Sequence, residues 1–210
     1  MLKQILTFSM VLMLAACATT RVKQVPAEIR NLKKVDFFAE DKTQAGFKVS
    51  GTMDDMMADG LLTVKKIGDE DFEVVLMTGG IYKVLHAIVS PEGIAYRYLF
   101  KDVDTALVRG RITQLLDLLF SNPGTYAGMR REKNGDITVI YKAARAKETF
   151  AYEMEEIYPA TARTITTLNS ADLIYADYMP MSADGKVRVP HSLIYKDGKI
   201  ILELQLISLR

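Results

Sequence analysis

Val187-Arg188-Val189-Pro190-His191-Ser192-Leu193-Ile194-Tyr195, the turn around Asp197-Gly198, and Ile200-Ile201-Leu202-Glu203-Leu204-Gln205-Leu206-Ile207-Ser208-Leu209 decide how this chain folds. Ile200, Leu202, Leu204 and Leu206 share one side of an extended strand, and Glu203 and Gln205 fall on the other. That period of two is the signature of a strand with one buried face. Asp197-Gly198 is a dipeptide favoured in two-residue type I′ turns, so the two runs are expected to pair as a hairpin.

The same pattern repeats through most of the chain. From Phe47 onward, strands are read at Leu61 to Ile67, Phe72 to Met77, Ile81 to Val89 and Ile94 to Phe100. Later ones follow at Tyr126 to Glu132, Ile137 to Ala143, Thr149 to Met154, Ala160 to Leu168 and Leu173 to Met179. Each is short and rich in β-branched or aromatic residues. Gly68-Asp69, Gly79-Gly80, Pro91-Glu92-Gly93, Asn134-Gly135 and Asp184-Gly185 separate them, and the last two are again dipeptides that type I′ turns prefer. Connections this short favour antiparallel neighbours, because a parallel pair needs a long crossover.

One segment departs from this rhythm. Val108, Ile112, Leu115, Leu116 and Leu119 recur at helical spacing between Asp104, a candidate cap, and the Ser121-Asn122-Pro123-Gly124 stop. Leu118 and Phe120 widen the apolar stripe, so this helix is expected to lie over an apolar surface. The fold class is therefore mostly β (α+β): a single antiparallel half-barrel or curved sheet of about eleven strands with an inserted amphipathic helix covering an apolar face.

Phe72, Val74 and Leu76 share a face, as do Ile94, Tyr96 and Tyr98; Ile137, Val139 and Tyr141; and Phe150, Tyr152 and Met154. One helix covers only part of so wide a surface. The apolar side either closes on itself as a packed core or lines a cavity for an apolar ligand. If it is a cavity for acyl chains, the residues expected to line it are Val74, Leu76, Tyr96, Tyr98, Leu115, Leu119, Val139, Tyr141, Phe150, Tyr152, Leu202 and Leu204.

Composition excludes several classes. With 27 basic and 26 acidic residues, the chain has no surplus of charge for nucleic acid. A single cysteine, Cys17, rules out an intramolecular disulfide. His86 and His191 are far apart in the sequence, and each sits inside an expected strand. His191 and Ser192 are adjacent in a strand and so point to opposite faces, which is not a nucleophile arrangement. No phosphate-binding glycine loop is present. The acidic turns Asp54-Asp55 and Asp69-Glu70-Asp71 read as solvated. Neither catalysis nor a metal nor a cofactor is expected.

The N-terminus reads as a targeting segment. Lys3 precedes an apolar run from Ile5 to Leu14, which is too short to span a bilayer as a stable helix. Residues 1–16 are read as a signal peptide ending at Leu14-Ala15-Ala16-Cys17, which resembles the lipobox of bacterial lipoproteins. That resemblance implies a diacylglyceryl group on Cys17, where more than one acyl chain gives stable anchoring. Residues 17–25 form a polar lipidated tether, Pro26 to Lys34 a candidate short helix, and residues 26–210 one folded domain. Ala18 rather than aspartate follows the cysteine, which by the same resemblance favours the outer membrane.

The chain also resembles the LolA/LolB-like outer-membrane lipoprotein-sorting family, and its lipid-anchored acceptor branch most closely. The resemblance rests on the lipobox and tether, on Phe47-Lys48-Val49-Ser50-Gly51-Thr52-Met53 with Gly60-Leu61-Leu62-Thr63-Val64, on Phe72-Glu73-Val74-Val75-Leu76 running into Gly79-Gly80, and on the closing hairpin. It implies a half-barrel holding acyl chains of a lipid or lipoprotein cargo, a periplasmic carrier as partner, and a loop that meets the membrane. That loop corresponds to Met56 or Met57. The chain has no tryptophan, a residue this branch tends to carry, and Phe47 stands where one would be sought.

The expected function is acyl-chain binding for lipid or lipoprotein localisation, by a protein anchored to the outer membrane and facing the periplasm. The competing reading is a non-catalytic envelope scaffold with a filled core.

Overall fold

The computed structural model describes residue 32 and residues 35–53, 56–120, 124–142, 146–166 and 169–210. Cys17, the signal and tether, and all of the candidate Pro26–Lys34 helix except Leu32 lie outside the described residues.

Twelve strands form one open antiparallel sheet. In chain order they are β1 Gln44–Met53, β2 Met56–Lys66, β3 Phe72–Thr78, β4 Tyr82–Ser90, β5 Gly93–Leu99, β6 Thr125–Arg131, β7 Ile137–Lys142, β8 Lys147–Tyr152, β9 Thr161–Ile165, β10 Ser170–Pro180, β11 Arg188–Asp197 and β12 Ile200–Leu209. Among the described residues one helix, α1, spans Ala106–Phe120 between β5 and β6. Across the sheet the order is β5-β4-β3-β2-β1-β12-β11-β10-β9-β8-β7-β6. Every neighbour but the β1–β12 pair is also a neighbour in sequence, so almost all the pairing is built from hairpins. Pairing of β1 with β12 joins the two halves, with Val49 opposite Leu204 and Gly51 opposite Leu202. The segment containing α1 runs from one open edge, β5, to the other, β6.

At the β1–β12 seam the backbones approach closely. A Cβ added to Gly51 would meet the Ile201 carbonyl oxygen at 2.1 Å, and Gly51 has φ +148°, so only glycine fits. Elsewhere the turns differ from the expected type I′. That type needs positive φ at both central residues, but Asn134, Asp184 and Lys199 are not positive. Gly198 (φ +59°) supplies the positive φ at the first central position of the last turn, because Asp197 pairs with Ile200 and the turn is Gly198-Lys199. This is the pattern of a type II′ turn.

The inner face carries Phe47 and Val49, Leu62 and Val64, Val74, Leu85, Ala87 and Val89, Leu173 and Tyr175, Leu193 and Tyr195, and Leu204 and Leu206, all buried in one contiguous core. Register breaks at Phe47, Met77, Ala87 and between Tyr126 and Gly128 bend the strands around it. The helix buries Leu116, Leu118 and Leu119 against this face. Its cap is Thr105, whose hydroxyl accepts from the Val108 amide at 3.2 Å. Asp104 is not the cap; its carboxylate takes the Arg109 guanidinium in two bonds of 2.5 and 2.8 Å.

Candidate functional site

The concave face and the helix lying on it are the part of the molecule that the expected lining residues share. Val74, Leu119, Val139, Phe150, Tyr152 and Leu204 are each no more than 5% exposed. Leu76, Tyr96, Leu115, Tyr141 and Leu202 are half-buried and pack against the same core. Eleven of the twelve therefore converge. The rings of Tyr126, Tyr141 and Phe150 form edge-on contacts at 6.4 and 5.7 Å, which extends the aromatic lining towards the β6 edge.

Tyr98 is the exception and a correction. Strict alternation puts it beside Ile94 and Tyr96, but the pairing slips between His86 and Ala87, leaving Arg97 without a partner on β4. This bulge sends Tyr98 outward beside His86, where it is 42% exposed, and turns Leu99 into the core. Met154 also points away, 59% exposed, because β8 ends at Tyr152.

Two tyrosines tie the helix backbone to the sheet. The Tyr96 hydroxyl donates to the Arg109 carbonyl at 2.9 Å and lies 3.0 Å from Thr113 Oγ1. The Tyr195 hydroxyl lies 3.2 Å from the Arg111 carbonyl and 3.4 Å from Asp197 Oδ2, and its one proton serves one of them at a time. Burial pushes both phenols up from their ordinary range, and the Asp197 carboxylate adds to that effect on Tyr195.

Asp197 is itself 1% exposed. Asn169 donates to its Oδ1 at 2.6 Å, and Arg111 Nε lies 3.7 Å from its Oδ2. A residue that reads as turn chemistry is thus a buried anion holding the helix to the β11–β12 and β9–β10 turns. No sequence signal distinguishes it from Asp184, which is exposed in an equivalent Asp-Gly pair.

At the far end of the helix, a pocket of about 270 Å³ opens between Leu119, Phe120, Phe72 and the Val35–Phe38 segment. Phe38 stacks on Phe72 with centroids 5.2 Å apart, and Phe72 meets Phe120 at 5.2 Å, so three elements supply one ladder of rings. Phe37 packs edge-on against Phe47 at 5.3 Å, just beneath. A second pocket of about 300 Å³ on the other side of Phe120 is lined by the β4–β5 turn, Val89 and Asp117. Reasoning from periodicity missed this mouth because Val35-Asp36-Phe37-Phe38 lies outside any strand or helix, although its apolar residues were a usable signal.

The opposite end carries exposed apolar side chains at neighbouring turns. Met57 is 84% exposed, Ile81 72%, Tyr82 67% and Leu107 60%. Asp54 and Asp55 lie outside the described residues, and of the candidate loop pair only the Met57 side chain is described. Among the described residues, no helix is long and apolar enough to cross a membrane.

No family model matches this chain, and no curated protein matches it. Solved structures do. A LolA superfamily protein from Nitrosomonas europaea has a TM-score of 0.57 at 12% identity, covering 82% of this chain and 87% of its own. A putative outer membrane lipoprotein-sorting protein domain from Vibrio parahaemolyticus has a TM-score of 0.52 at 9% identity, covering 80% and 84%. At these identities the likeness is one of fold: an open antiparallel sheet with an inserted helix is the architecture they share with this chain.

Proposed function

We propose that this chain binds acyl chains of a lipid or lipoprotein between its sheet and the Ala106–Phe120 helix, and serves their localisation to the outer membrane. The observation that carries this reading is the contrast between the area of the apolar face and its cover. Among the described residues, twelve strands present that face, and one fifteen-residue helix lies on it. The ring-lined mouth beside Phe120 gives a chain its point of entry. Each buried methylene contributes about 0.8 kcal/mol, so a dozen contribute roughly 10 kcal/mol, enough to offset partial displacement of a helix. The two superposed structures support the reading through their fold, and one of them is described as a lipoprotein-sorting domain.

In this reading the protein hangs from the membrane by lipid on Cys17 and receives cargo from a periplasmic carrier. It acts by binding rather than turnover. The exposed Met57, with Ile81 and Tyr82 on a neighbouring turn, meets the bilayer.

A second reading is favoured by a specific observation. Val74, Val139 and Leu204 are each at most 1% exposed, as in a filled core. A scaffold with such a core takes up no lipid. Native mass spectrometry and fatty-acid uptake on the chain lacking residues 1–17 separate the two. Every described residue lies at or after Leu32, so this deletion leaves them in place. Acyl lipid retained in stoichiometric amount, or saturable uptake of a fluorescent fatty acid, supports transport; a clean mass with no uptake supports the scaffold.

A further inference from the structure

His191 brings a polar ring to the apolar face and finds nothing there to bond. On β11 the side chains of Val189, Leu193 and Tyr195 are fully buried, and alternation sets His191 in the same inner row. Its Nδ1 is buried and has no hydrogen-bond partner among the described residues. Further along this row, the Tyr195 hydroxyl meets the helix at the Arg111 carbonyl. The sheet parts beside His191. The β11–β12 ladder ends at the Ser192–Gln205 pair, and Pro190 has no N–H to extend it. On the other side Asp177 stands opposite His191, between the Ala176–Ser192 and Tyr178–Pro190 pairs. It takes the left-handed φ of +54° and is exposed, so its carboxylate does not serve the imidazole.

A second unpartnered group lies diagonally across, on β10. Tyr175 pairs with Leu193 on the inner face and is buried. Diagonal neighbours on one face of a sheet are roughly 7–8 Å apart, within reach of long side chains. The hydroxyls of Tyr96, Tyr158, Tyr178 and Tyr195 all lie within hydrogen-bond distance of backbone carbonyls. The Tyr175 hydroxyl has no such bond among the described residues. Buried polar groups are nearly always hydrogen-bonded, because an unpaired one forfeits its hydration for nothing. Two unpaired groups on neighbouring strands of an apolar face point to a partner that is not part of the chain.

We propose that His191 and Tyr175 receive the carbonyl oxygen of a bound acyl group, so that the site selects acyl esters and acids over alkyl chains that lack a carbonyl. A carbonyl oxygen has two lone pairs. The phenol donates to one, and the imidazole N–H, in the tautomer protonated at Nδ1, donates to the other. Apolar contact holds the chain itself and is non-directional, so it cannot tell acyl from alkyl. This inference rests on the acyl-binding reading above and names the ligand chemistry of that same face.

Two glycerolipids of equal chain length that differ in one carbonyl test it on the chain lacking residues 1–17: monolauroylglycerol, an ester, and dodecylglycerol, its ether, each below its aggregation concentration. Displacement of a fluorescent fatty acid should show about tenfold tighter binding of the ester. Tyr175→Phe should narrow the gap, and His191→Leu should close it with the affinity of the ether unchanged. His191→Leu exchanges an unpartnered polar ring for an apolar side chain, so the lipid-free variant should melt no lower than the parent. Nitrogen NMR of the imidazoles reads the same contact. The chain has two histidines, and His86, whose Nε2 lies 2.9 Å from Glu73 Oε1, is the internal control. The ester should shift the His191 nitrogens far more than the ether does, and leave those of His86 in place.

Equal binding of ester and ether overturns the selection and leaves acyl binding standing. A gap that survives both substitutions overturns it too, by placing the carbonyl elsewhere. Loss of both glycerolipids alike in His191→Leu does the same, by making the residue structural. No uptake of either glycerolipid or of fatty acid overturns acyl binding itself, and the selection with it.

Discussion

Arg111, on the second turn of the helix, sets its guanidinium Nε 3.7 Å from Oδ2 of Asp197 in the last hairpin of the sheet, with Asp197 1% exposed and Arg111 18% at the side chain. A charge buried so deeply is tolerable only when paired and hydrogen-bonded, and here Asn169 and Tyr195 complete the set. The pair therefore fixes where the helix lies on the concave face.

Removing one partner leaves the other charge stranded. Arg111→Met should cost about 3–5 kcal/mol. Arg111→Met/Asp197→Leu should recover much of that loss, because no buried charge remains. Urea denaturation of the three proteins measures both steps; a double variant as unstable as the single one would mean the ion pair is not the source of the cost.

The seam between the halves predicts a second outcome. Gly51→Ala places a Cβ against the Ile201 carbonyl and forces a residue with a side chain into φ +148°. A loss of about 2–4 kcal/mol is expected, since backbone must move to relieve the clash. Gly80→Ala, also at positive φ but with open space around it, should cost less. Thermal unfolding of the two variants ranks them.

Ligand uptake should distinguish inner from outer aromatics. Phe72→Asp, in the ring ladder, should weaken fatty-acid uptake tenfold or more, given about 1.5–3 kcal/mol for burying one large apolar side chain. Tyr98→Ala should leave uptake unchanged, because the bulge at Arg97 puts Tyr98 on the outer face. Equal losses would show that the bulge does not sort these residues.

Alkaline pH provides a fourth test. Burial pushes the phenols of Tyr152, Tyr175, Tyr178 and Tyr195 well above their ordinary value of 10. A folded-state pKa above the unfolded one means that the native state holds the proton more tightly. Stability from these four is present in full below pH 10 and falls as pH rises beyond it. Tyrosinate absorbance should therefore lag behind that of the urea-unfolded chain above pH 10, and the remaining signal should appear together with unfolding. Phe substituted for Tyr178 should reduce the alkaline loss.

Most of the pattern behind this fold is local, and so it is legible in the sequence. Alternation in Ile200–Leu206 and Ile137–Tyr141 marks the strands, and Gly79-Gly80 and Asp197-Gly198 mark their turns. The 3.6-residue spacing from Val108 to Leu119 separates the helix from them. Short connections then allow little except an antiparallel meander. The inner face followed from the same alternation: nine of the ten expected strand positions turn to the core, and Leu115 and Leu119 pack onto it from the helix.

What periodicity could not supply depends on long-range pairing. The bulge that turns Tyr98 outward arises from how β5 registers against β4, which is a property of two strands together. Phe38, Phe72 and Phe120 are separated by 34 and 48 positions and meet only because the sheet curves under the helix. Asp197 and Asp184 stand in identical Asp-Gly pairs, yet one is buried against Arg111 and the other is exposed. Sequence by itself determined the elements, their antiparallel order and the apolar face, because those depend on side chains a few residues apart. Tertiary structure alone decided the open mouth and the buried charge beneath the helix, because each is assembled from residues that only the curvature of the open twelve-stranded sheet brings within reach.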